Sequence, residues 1–400
     1  MQNTRKVTND IVWIGCNDRR LALFENLFPL KNGVSYNSYL ILDEKVTLMD
    51  TVDANETEQF LENLDAALAG KSLDYLVVQH MEPDHCANVG RLLDKFPEMK
   101  LVVNAKTVKM IEQFFHPVEE ERLVVVKEGD TLSIGKHVLH FVMAPMVHWP
   151  EVMVTYDETE KVLFSADAFG TFGALNGNLF ADEVDFEKDW MAEARRYYSN
   201  IVGKYGVPVQ TLLKKAAGLD IQMICPLHGP VWRENLNVFL EKYDTWSKYE
   251  PEEQDVILIY GSIYGHTEAV VNALATKLAE QGLKNVKVYD VSTTHVSELI
   301  GEIFRASHIV LASPTYNGGI YPPMANLLHD MKALAVQNRT VAVMENGSWA
   351  PVAARLMQKE LNELKNVKVL DQVLTITSAL KQEQEPELEA FAKQILDTMQ

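Results

Sequence analysis

The sequence has few cysteines, no long hydrophobic run and a shortage of basic residues. Its three cysteines, Cys16, Cys86 and Cys225, exclude a disulfide framework or a four-cysteine metal site within one chain. No apolar run approaches membrane-spanning length, and the N-terminus shows no apolar signal segment. The formal net charge of -19 disfavours nucleic-acid and anionic-membrane partners. We therefore expect a cytoplasmic globular protein.

The length and the change of pattern along the chain predict two domains. A chain of 400 residues, with 47% hydrophobic and 23% charged residues, is typical of a globular protein of two or three domains. The polar segment 243–255, which carries a proline and an acidic cluster, separates two regimes of hydrophobic patterning. We predict domains over residues 1–250 and 251–400, joined at this segment.

The segment 79–85, QHMEPDH, carries four residues that can bind a metal within six positions. It follows the apolar run 73–78, which is short and β-branched and therefore predicts a buried strand. Pro83 argues against a helix through the segment and favours an extended backbone at Glu82. Alternate side chains of an extended chain share a face, so His80, Glu82 and Asp84 are expected to point the same way. Imidazoles and carboxylates gathered there would be costly without a cation.

Three further apolar runs end in a residue that can bind a metal. The run 138–144 is followed by His148, the run 161–166 by Asp167 and the run 221–227 by His228. Strands hold the bases of their loops rigidly, so strand ends are common places for functional sites. Together with the segment 79–85, these junctions predict a metal site.

These residues resemble the metallo-β-lactamase superfamily over about residues 30–235. The resemblance implies a four-layer αββα sandwich with a dinuclear metal site. Zinc hydrolases of the superfamily carry H-x-H-x-D-H, and Glu82 replaces their second histidine, which favours iron or manganese over zinc. The implied ligands are His80, Glu82 and His148 for one ion, Asp84 and His228 for the other, and Asp167 between them. The resemblance also implies that His85 is not itself a ligand. It is expected to lie behind the ligands, where it orients one of them or shuttles protons.

The second half alternates strands and helices. The predicted strands cover residues 256–260, 286–291, 308–313, 340–344 and 367–373. The predicted helices cover residues 267–281, 296–306, 323–334, 351–364 and 385–398. Five such units predict a doubly wound parallel sheet with helices on both faces, flavodoxin-like in size and order.

Three loops of this half predict a binding site for flavin mononucleotide (FMN). The loop 260–268, YGSIYGHTE, is rich in glycine and hydroxyl groups and leads into a helix, so it can hold a phosphate. It lacks both the P-loop lysine and the G-x-G-x-x-G pattern, which favours a monophosphate. The loops 313–319 and 345–349 each add an aromatic residue for a flavin ring. The candidate residues are Ser262, Ile263, Tyr264, Gly265, His266, Thr267, Pro314, Thr315, Tyr316, Asn317, Gly318, Gly319, Asn346, Gly347, Ser348 and Trp349.

The combination of the two halves resembles the flavodiiron proteins, or A-type flavoproteins, over almost the whole chain. The resemblance implies that FMN passes electrons to a pair of non-haem iron ions, which reduce dioxygen to water, nitric oxide to nitrous oxide, or both. It also implies a head-to-tail homodimer. Since too few cysteines are present for a fused rubredoxin domain, an external donor must supply electrons: a rubredoxin, a reduced deazaflavin or a flavin reductase.

Two alternatives remain open at this stage. One is a dizinc hydrolase that carries a flavodoxin module, and the other is a flavin electron carrier whose first domain only docks a partner. Some flavodiiron proteins also have an additional histidine near the metal from their N-terminal region. This chain has no histidine before His80, so that group is absent or replaced. The sequence does not choose between dioxygen and nitric oxide.

Overall fold

The structure is a computed structural model that describes residues 1–399. The chain forms two compact units. One comprises Met1–Tyr198 and Val207–Asp244, and the other comprises Ser199–Gly206 and the chain from Thr245 onward. No sequence pattern set the short segment Ser199–Gly206 apart from its neighbours. The domain boundary at residue 250 stays a prediction.

The first unit contains a seven-stranded and a five-stranded sheet. Its strands are β1 (Arg5–Lys6), β2 (Ile11–Trp13), β3 (Cys16–Asp18), β4 (Leu23–Phe24), β5 (Phe28–Pro29), β6 (Val34–Tyr36), β7 (Tyr39–Ile41), β8 (Thr47–Met49), β9 (Tyr75–Val77), β10 (Lys100–Asn104), β11 (Leu123–Val126), β12 (Thr131–Ser133), β13 (Val138–Met143), β14 (Met153–Asp157), β15 (Val162–Phe164) and β16 (Met223–Cys225). The larger sheet has the order β1-β2-β7-β8-β9-β10-β11, and the smaller has the order β12-β13-β14-β15-β16. Strands β3 and β6 form a separate pair, as do β4 and β5. The predicted αββα sandwich is confirmed.

Helices accompany these sheets, and several begin or end with a recognisable cap. The helices before residue 248 are α1 (Thr57–Leu68), α2 (Pro83–Cys86), α3 (Val89–Lys95), α4 (Ala105–Phe114), α5 (Phe186–Asp189), α6 (Met191–Tyr197), α7 (Gly206–Ala216) and α8 (Leu236–Ser247). The Asn104 side chain accepts hydrogen bonds from the N–H groups of Lys106 and Thr107, which caps α4. Helix α1 ends where Ala69 adopts a left-handed conformation.

The backbone around Pro83 differs from the expectation. Glu82 is extended, with φ -64° and ψ 139°, as a residue before proline should be. Pro83, however, opens helix α2 instead of preventing a helix, because its fixed φ suits the first helical position. Asp84 therefore lies inside a helical turn. The prediction that it shares an extended face with His80 and Glu82 is therefore wrong.

The second unit is a parallel sheet with the predicted alternation of strands and helices. Its strands are β17 (Glu253–Tyr260), β18 (Lys287–Asp290), β19 (Ala306–Tyr316), β20 (Gly319–Ile320), β21 (Thr340–Asn346) and β22 (Lys368–Ile376). Its long helices are α9 (His266–Glu280), α10 (Val296–Arg305), α11 (Pro322–Ala333), α12 (Ala353–Leu361) and α13 (Glu385–Asp397). The sheet order β18-β17-β19-β21-β22 is the flavodoxin order, which confirms the predicted fold class.

The second unit is held by a continuous apolar core. Strand residues such as Leu258 and Val310 pack with helix residues such as Leu274 and Phe391, and all four are almost completely buried. Parallel strands are covered on both faces, so their sequences read as nearly unbroken apolar runs. Throughout residues 1–399, none of the helices combines the length and the apolar character needed to cross a membrane.

Candidate functional site

The first group of donor atoms consists of His80, Glu82, His148 and Asp167, and all four residues are buried. The Nε2 atom of His148 lies 3.0 Å from Glu82 Oε2 and 3.0 Å from Asp167 Oδ2. The Nε2 atom of His80 lies 3.2 Å from the same Glu82 oxygen and 3.4 Å from Asp167 Oδ2. The residues follow strands β9, β13 and β15, so ends of strands from both sheets of the first unit build this group.

A second group lies beside the first and consists of Asp84, His85 and His228. The Asp84 Oδ2 atom lies 3.3 Å from the Nε2 atoms of both histidines. Asp167 Oδ1 lies 3.1 Å from His85 Nε2 and 3.7 Å from His228 Nε2. Since the other oxygen of Asp167 faces the first group, this carboxylate stands between the two, in the position expected of a shared ligand.

His85 lies elsewhere than the family resemblance implies. It was expected one layer behind the ligands, but its Nε2 atom faces the second group and lies 3.1 Å from His228 Nε2. The physical reason is the helical turn of α2, which begins at Pro83 and brings Asp84 and His85 to the same side of the site. An extended segment would have directed neighbouring side chains to opposite faces.

The donor set fits divalent cations. Both carboxylate oxygens of Asp84 are buried and have no hydrogen-bond partner, which is costly for a carboxylate unless a cation is nearby. Burial alone would lower the pKa of His148, but hydrogen bonds to Asp167 and Glu82 raise it to about 9. In the same way, the charges of Asp84 and Asp167 overcome burial and raise the pKa of His85 to about 9. The site therefore has a strongly negative field that favours positive charge.

Two contacts behind the donors fix the orientation of their imidazole rings. The Nδ1 atom of His80 lies 2.8 Å from Glu151 Oε1, and the same oxygen accepts the backbone N–H of Met81 at 2.9 Å. The Nδ1–H group of His228 donates to the carbonyl oxygen of Ser35 at 2.7 Å. When Nδ1 donates, the lone pair of Nε2 is free for a metal. Sequence reasoning missed Glu151, because no spacing rule connects it with His80.

Glu25 is a further carboxyl group of the first unit whose pKa is perturbed. It lies at the tip of the β4–β5 hairpin, on an exposed turn. Burial of its carboxyl group, together with the charge of Glu82 and a hydrogen bond to it, raises the pKa of Glu25 to about 8.

An aromatic wall encloses the second group. The ring of His228 lies 5.4 Å from that of Phe24, 5.7 Å from that of Tyr36 and 5.5 Å from that of Tyr197. The Tyr197 hydroxyl is buried without a hydrogen-bond partner. Burial, followed by the charges of Asp167 and Asp84, raises the pKa of Tyr197 well above its usual value, so the hydroxyl keeps its proton and can act as a donor.

In the second unit, the three predicted loops lie at the carboxyl edge of the parallel sheet. Tyr264 is 89% exposed and Trp349 is 82% exposed, an unusual state for large aromatic side chains that suits stacking on a planar ligand. Ser262 Oγ accepts the N–H groups of Gly265 and Glu268, which shapes the first loop. Gly265, at the N-cap position of helix α9, has φ 88° and has no side chain that could cap the helix. This helix end fits a phosphate.

The structure also assigns supporting contacts to some predicted flavin residues. Thr315 Oγ1 accepts the N–H groups of Val352 at 2.9 Å and Ala353 at 3.2 Å, so it fixes the end of the Trp349 loop. Asn346 donates to Thr267 Oγ1 at 3.3 Å and thereby connects two of the loops. Pro314 is buried within β19. Of the remaining predicted residues, His266 opens α9, and Tyr316 and Gly319 end β19 and begin β20. Asn317 and Gly318 turn the chain between these two strands.

The two halves of the chain match two protein families. The family described as ODP family beta lactamase matches residues 34–229, and the flavodoxin family matches residues 258–391. An uncharacterised protein of Methanocaldococcus jannaschii is 30% identical over 98% of each chain. The anaerobic nitric oxide reductase flavorubredoxin of Vibrio vulnificus is 33% identical over 86% of this chain and 70% of its own.

Two solved structures are similar over nearly the whole chain. The rubredoxin oxygen:oxidoreductase of the anaerobe Desulfovibrio gigas has a TM-score of 0.92 and 28% identity, and the match covers 99% of this chain and 98% of that protein. The flavodiiron protein of Giardia intestinalis has a TM-score of 0.92 and 25% identity, over 99% and 97% of the two chains. With two adjacent donor groups in one unit and exposed aromatic loops in the other, this chain belongs to the flavodiiron protein family.

Proposed function

We propose that this protein reduces dioxygen, nitric oxide or both, with electrons that pass from FMN to a pair of iron ions. Membership of the family makes the chain an oxidoreductase whose cofactors are FMN and a diiron centre. The observation that carries the proposal is the pair of buried donor groups that meet at Asp167. The named relatives include a nitric oxide reductase and an oxygen oxidoreductase, so both gases belong in the assay.

The proposed iron ligands follow from the two donor groups. His80, Glu82 and His148 hold one ion, and Asp84, His85 and His228 hold the other, with Asp167 shared. When bound, two ferrous ions supply two electrons to a diatomic molecule. The carboxylates favour iron over zinc, because they are hard oxygen donors.

Other residues of the first unit prepare the site for this chemistry. Glu151 and the Ser35 carbonyl hold the rings of His80 and His228 in the metal-binding orientation. The wall of Phe24, Tyr36 and Tyr197 excludes water from one side, which strengthens electrostatic interactions within the site. The Tyr197 hydroxyl is placed to donate a hydrogen bond to a polar molecule in this space.

In the second unit, the loop 262–267 is proposed to hold the FMN phosphate, and Tyr264, Tyr316 and Trp349 to contact the ring system. The electron donor is proposed to be external: a rubredoxin, a reduced deazaflavin or a flavin reductase. The protein is further proposed to act in the cytoplasm as a head-to-tail homodimer, in which the flavin of one subunit serves the irons of the other.

The first experiment is to measure iron, zinc and FMN in protein purified without oxygen, followed by turnover with each gas. His80→Ala and Asp167→Ala should abolish turnover and leave FMN bound, whereas His116→Ala, which changes an exposed histidine of the same unit, should have no effect. Full turnover in the first two variants would contradict the proposed centre. Zinc content together with hydrolytic activity would favour a hydrolase instead.

The homodimer can be tested by complementation. We would mix subunits that carry His80→Ala with subunits whose flavin site is disabled at Tyr264 and Trp349, after dissociation and reassociation. A head-to-tail dimer should recover activity, because some sites then pair an intact flavin with intact irons. Absence of any recovery, although mixed dimers have formed, would contradict this arrangement.

A further inference from the structure

Three further residues that can bind a metal meet at the start of strand β13, whose other end leads to the first donor group. They are Asp10, His137 and Glu160, and one donor atom of each lies within 4.8 Å of the other two. Asp10 stands directly before β2 of the seven-stranded sheet. His137 precedes β13 and Glu160 lies between β14 and β15, so both belong to turns of the five-stranded sheet. The group therefore joins the two sheets of the first unit.

The imidazole of His137 is completely buried and offers one nitrogen to this group. Its Nδ1 atom lies 2.7 Å from Asp157 Oδ2, so Nδ1 donates to that carboxylate and Nε2 keeps a lone pair. Nε2 is buried without a hydrogen-bond partner, and Asp10 Oδ2 lies 3.5 Å away from it. A carboxylate behind an imidazole is the arrangement that orients metal-binding histidines. A buried nitrogen that the protein leaves unsatisfied indicates that a ligand completes its bonding.

The carboxylates of the group already attract a positive charge. The Nζ atom of Lys136 lies 2.6 Å from Asp10 Oδ2 and 2.9 Å from Glu160 Oε1. The Lys136 side chain is 55% exposed, and ion pairs at such positions contribute little to stability because water screens them. The ammonium group also leaves Nε2 of His137 without a hydrogen bond. A cation that binds both carboxylates and this nitrogen would satisfy the group more completely, while the lysine turns into solvent.

The spacing and the chemistry of the donors select a small divalent cation. Around a tetrahedral zinc ion with bonds of about 2.0–2.1 Å, two donor atoms lie about 3.4 Å apart. The separation of His137 Nε2 from Asp10 Oδ2, 3.5 Å, matches that value. An imidazole nitrogen suits zinc, whereas calcium and magnesium prefer oxygen donors alone. Three protein donors leave the fourth position of the ion to water.

We propose that Asp10, His137 and Glu160 bind one zinc ion, and that Asp157 orients the imidazole. The bound ion replaces the Lys136 ammonium and connects the two sheets of the first unit. Because it binds the folded chain, it stabilises the fold by mass action. The site is separate from the proposed iron centre, since the two lie at opposite ends of β13, and it acts on stability and not on turnover.

The test is a calorimetric Zn²⁺ titration of the full-length protein, purified without oxygen and with its iron and FMN bound. Wild type should take up one Zn²⁺ per chain, keep its iron and unfold at a higher temperature. Glu160→Gln and His137→Gln each remove a ligand and should weaken this binding by more than about tenfold. The control His140→Gln removes a nearby histidine, which contacts one carboxylate at 2.6 Å, and should bind Zn²⁺ as wild type does.

A further variant separates a metal site from a cluster of ion pairs. Lys136→Met keeps much of the side chain but removes the competing ammonium, so Zn²⁺ should bind about threefold to tenfold more tightly. A cluster whose only role is to hold Lys136 would show no such gain. This variant changes an exposed side chain, so it tests the site even where His137→Gln fails to fold.

Four results would overturn the proposal. They are the absence of Zn²⁺ uptake by wild type, uptake only in exchange for iron, equal affinity in wild type and Glu160→Gln, and an unchanged or lower affinity in Lys136→Met. Iron is measured before and after each titration, and all comparisons are made at constant iron content. Their outcome is therefore independent of the proposed iron centre and of its turnover.

Discussion

His80 Nδ1 lies 2.8 Å from Glu151 Oε1, and both side chains are completely inaccessible to solvent. Seventy-one positions separate them along the chain. A carboxylate in this position holds the imidazole in one tautomer and makes Nε2 a better metal ligand. The pair therefore links the loop between β13 and β14, which also carries His148, to the first proposed iron ligand.

The first prediction concerns this pair. Glu151→Gln should lower the affinity for Fe²⁺ by about 10- to 100-fold, because the charge that orients His80 is lost. The measurement is an anaerobic Fe²⁺ titration of metal-free protein. Glu158→Gln is a matched control, since Glu158 contacts His140 at 2.6 Å on the surface. An equal loss in both variants would indicate a general charge effect and contradict the orienting role.

The second prediction concerns the exposed ring of Trp349. Trp349→Ala should raise the Kd for FMN by about tenfold, since an aromatic contact of this kind is worth about 1 kcal/mol beyond its buried area. Fluorescence titration of flavin-free protein measures the change. Phe114→Ala, which removes an exposed ring from the first unit, should leave the affinity unchanged. An unaltered Kd in Trp349→Ala would exclude this ring from the flavin site.

The third prediction concerns Thr315, which supports the Trp349 loop without lying on it. Thr315→Val keeps the shape of the side chain but removes the oxygen that accepts two N–H groups before α12. The free energy of unfolding of the second unit should fall by about 1 kcal/mol, as for other lost helix caps, and FMN should bind more weakly. Thr276→Val, on the exposed face of α9, is the control. Unchanged stability and FMN affinity would show that the loop holds its position without Thr315.

The fourth prediction concerns pH and the buried pair of His137 and Asp157, whose Nδ1 and Oδ2 atoms are 2.7 Å apart. Burial would lower the pKa of His137, but the hydrogen bond and charge of Asp157 raise it above the usual value. A raised pKa in the folded state contributes stability that is complete below about pH 6.5 and is lost as the pH rises through that raised value.

We therefore expect the difference in unfolding free energy between wild type and His137→Gln to be larger at pH 6 than at pH 9. Denaturant unfolding of the metal-free proteins measures it. For His116→Gln, at an exposed site, the difference should be small and constant. If the difference in unfolding free energy between wild type and His137→Gln instead grows with pH, the pKa of His137 is not raised in the folded protein.

The sequence by itself determined the architecture of the second unit and most of the donor set. The alternation of apolar strands with amphipathic helices is local, and periodicity therefore placed the five strands β17, β18, β19, β21 and β22 and the helices α9–α13 to within a few residues. It did not predict the two-residue strand β20, which begins in a predicted loop. The sequence also identified six of the donor residues, because each follows an apolar run that predicts a strand. They are His80, Glu82, Asp84, His148, Asp167 and His228.

The family resemblance implied how these residues divide into two groups, but only the tertiary structure placed His85 among the donor atoms of the second group. A helical turn at Pro83, which a pattern of alternation does not reveal, brings Asp84 and His85 together and away from the face of His80 and Glu82. Glu151 reaches the site from a distant part of the chain, and no local pattern marks it. Spacing along a strand can predict which residues share a face, but contacts between separate strands and hairpins depend on how the sheets pack. For that reason, Glu151, which orients the ring of His80, could be identified only in the folded protein.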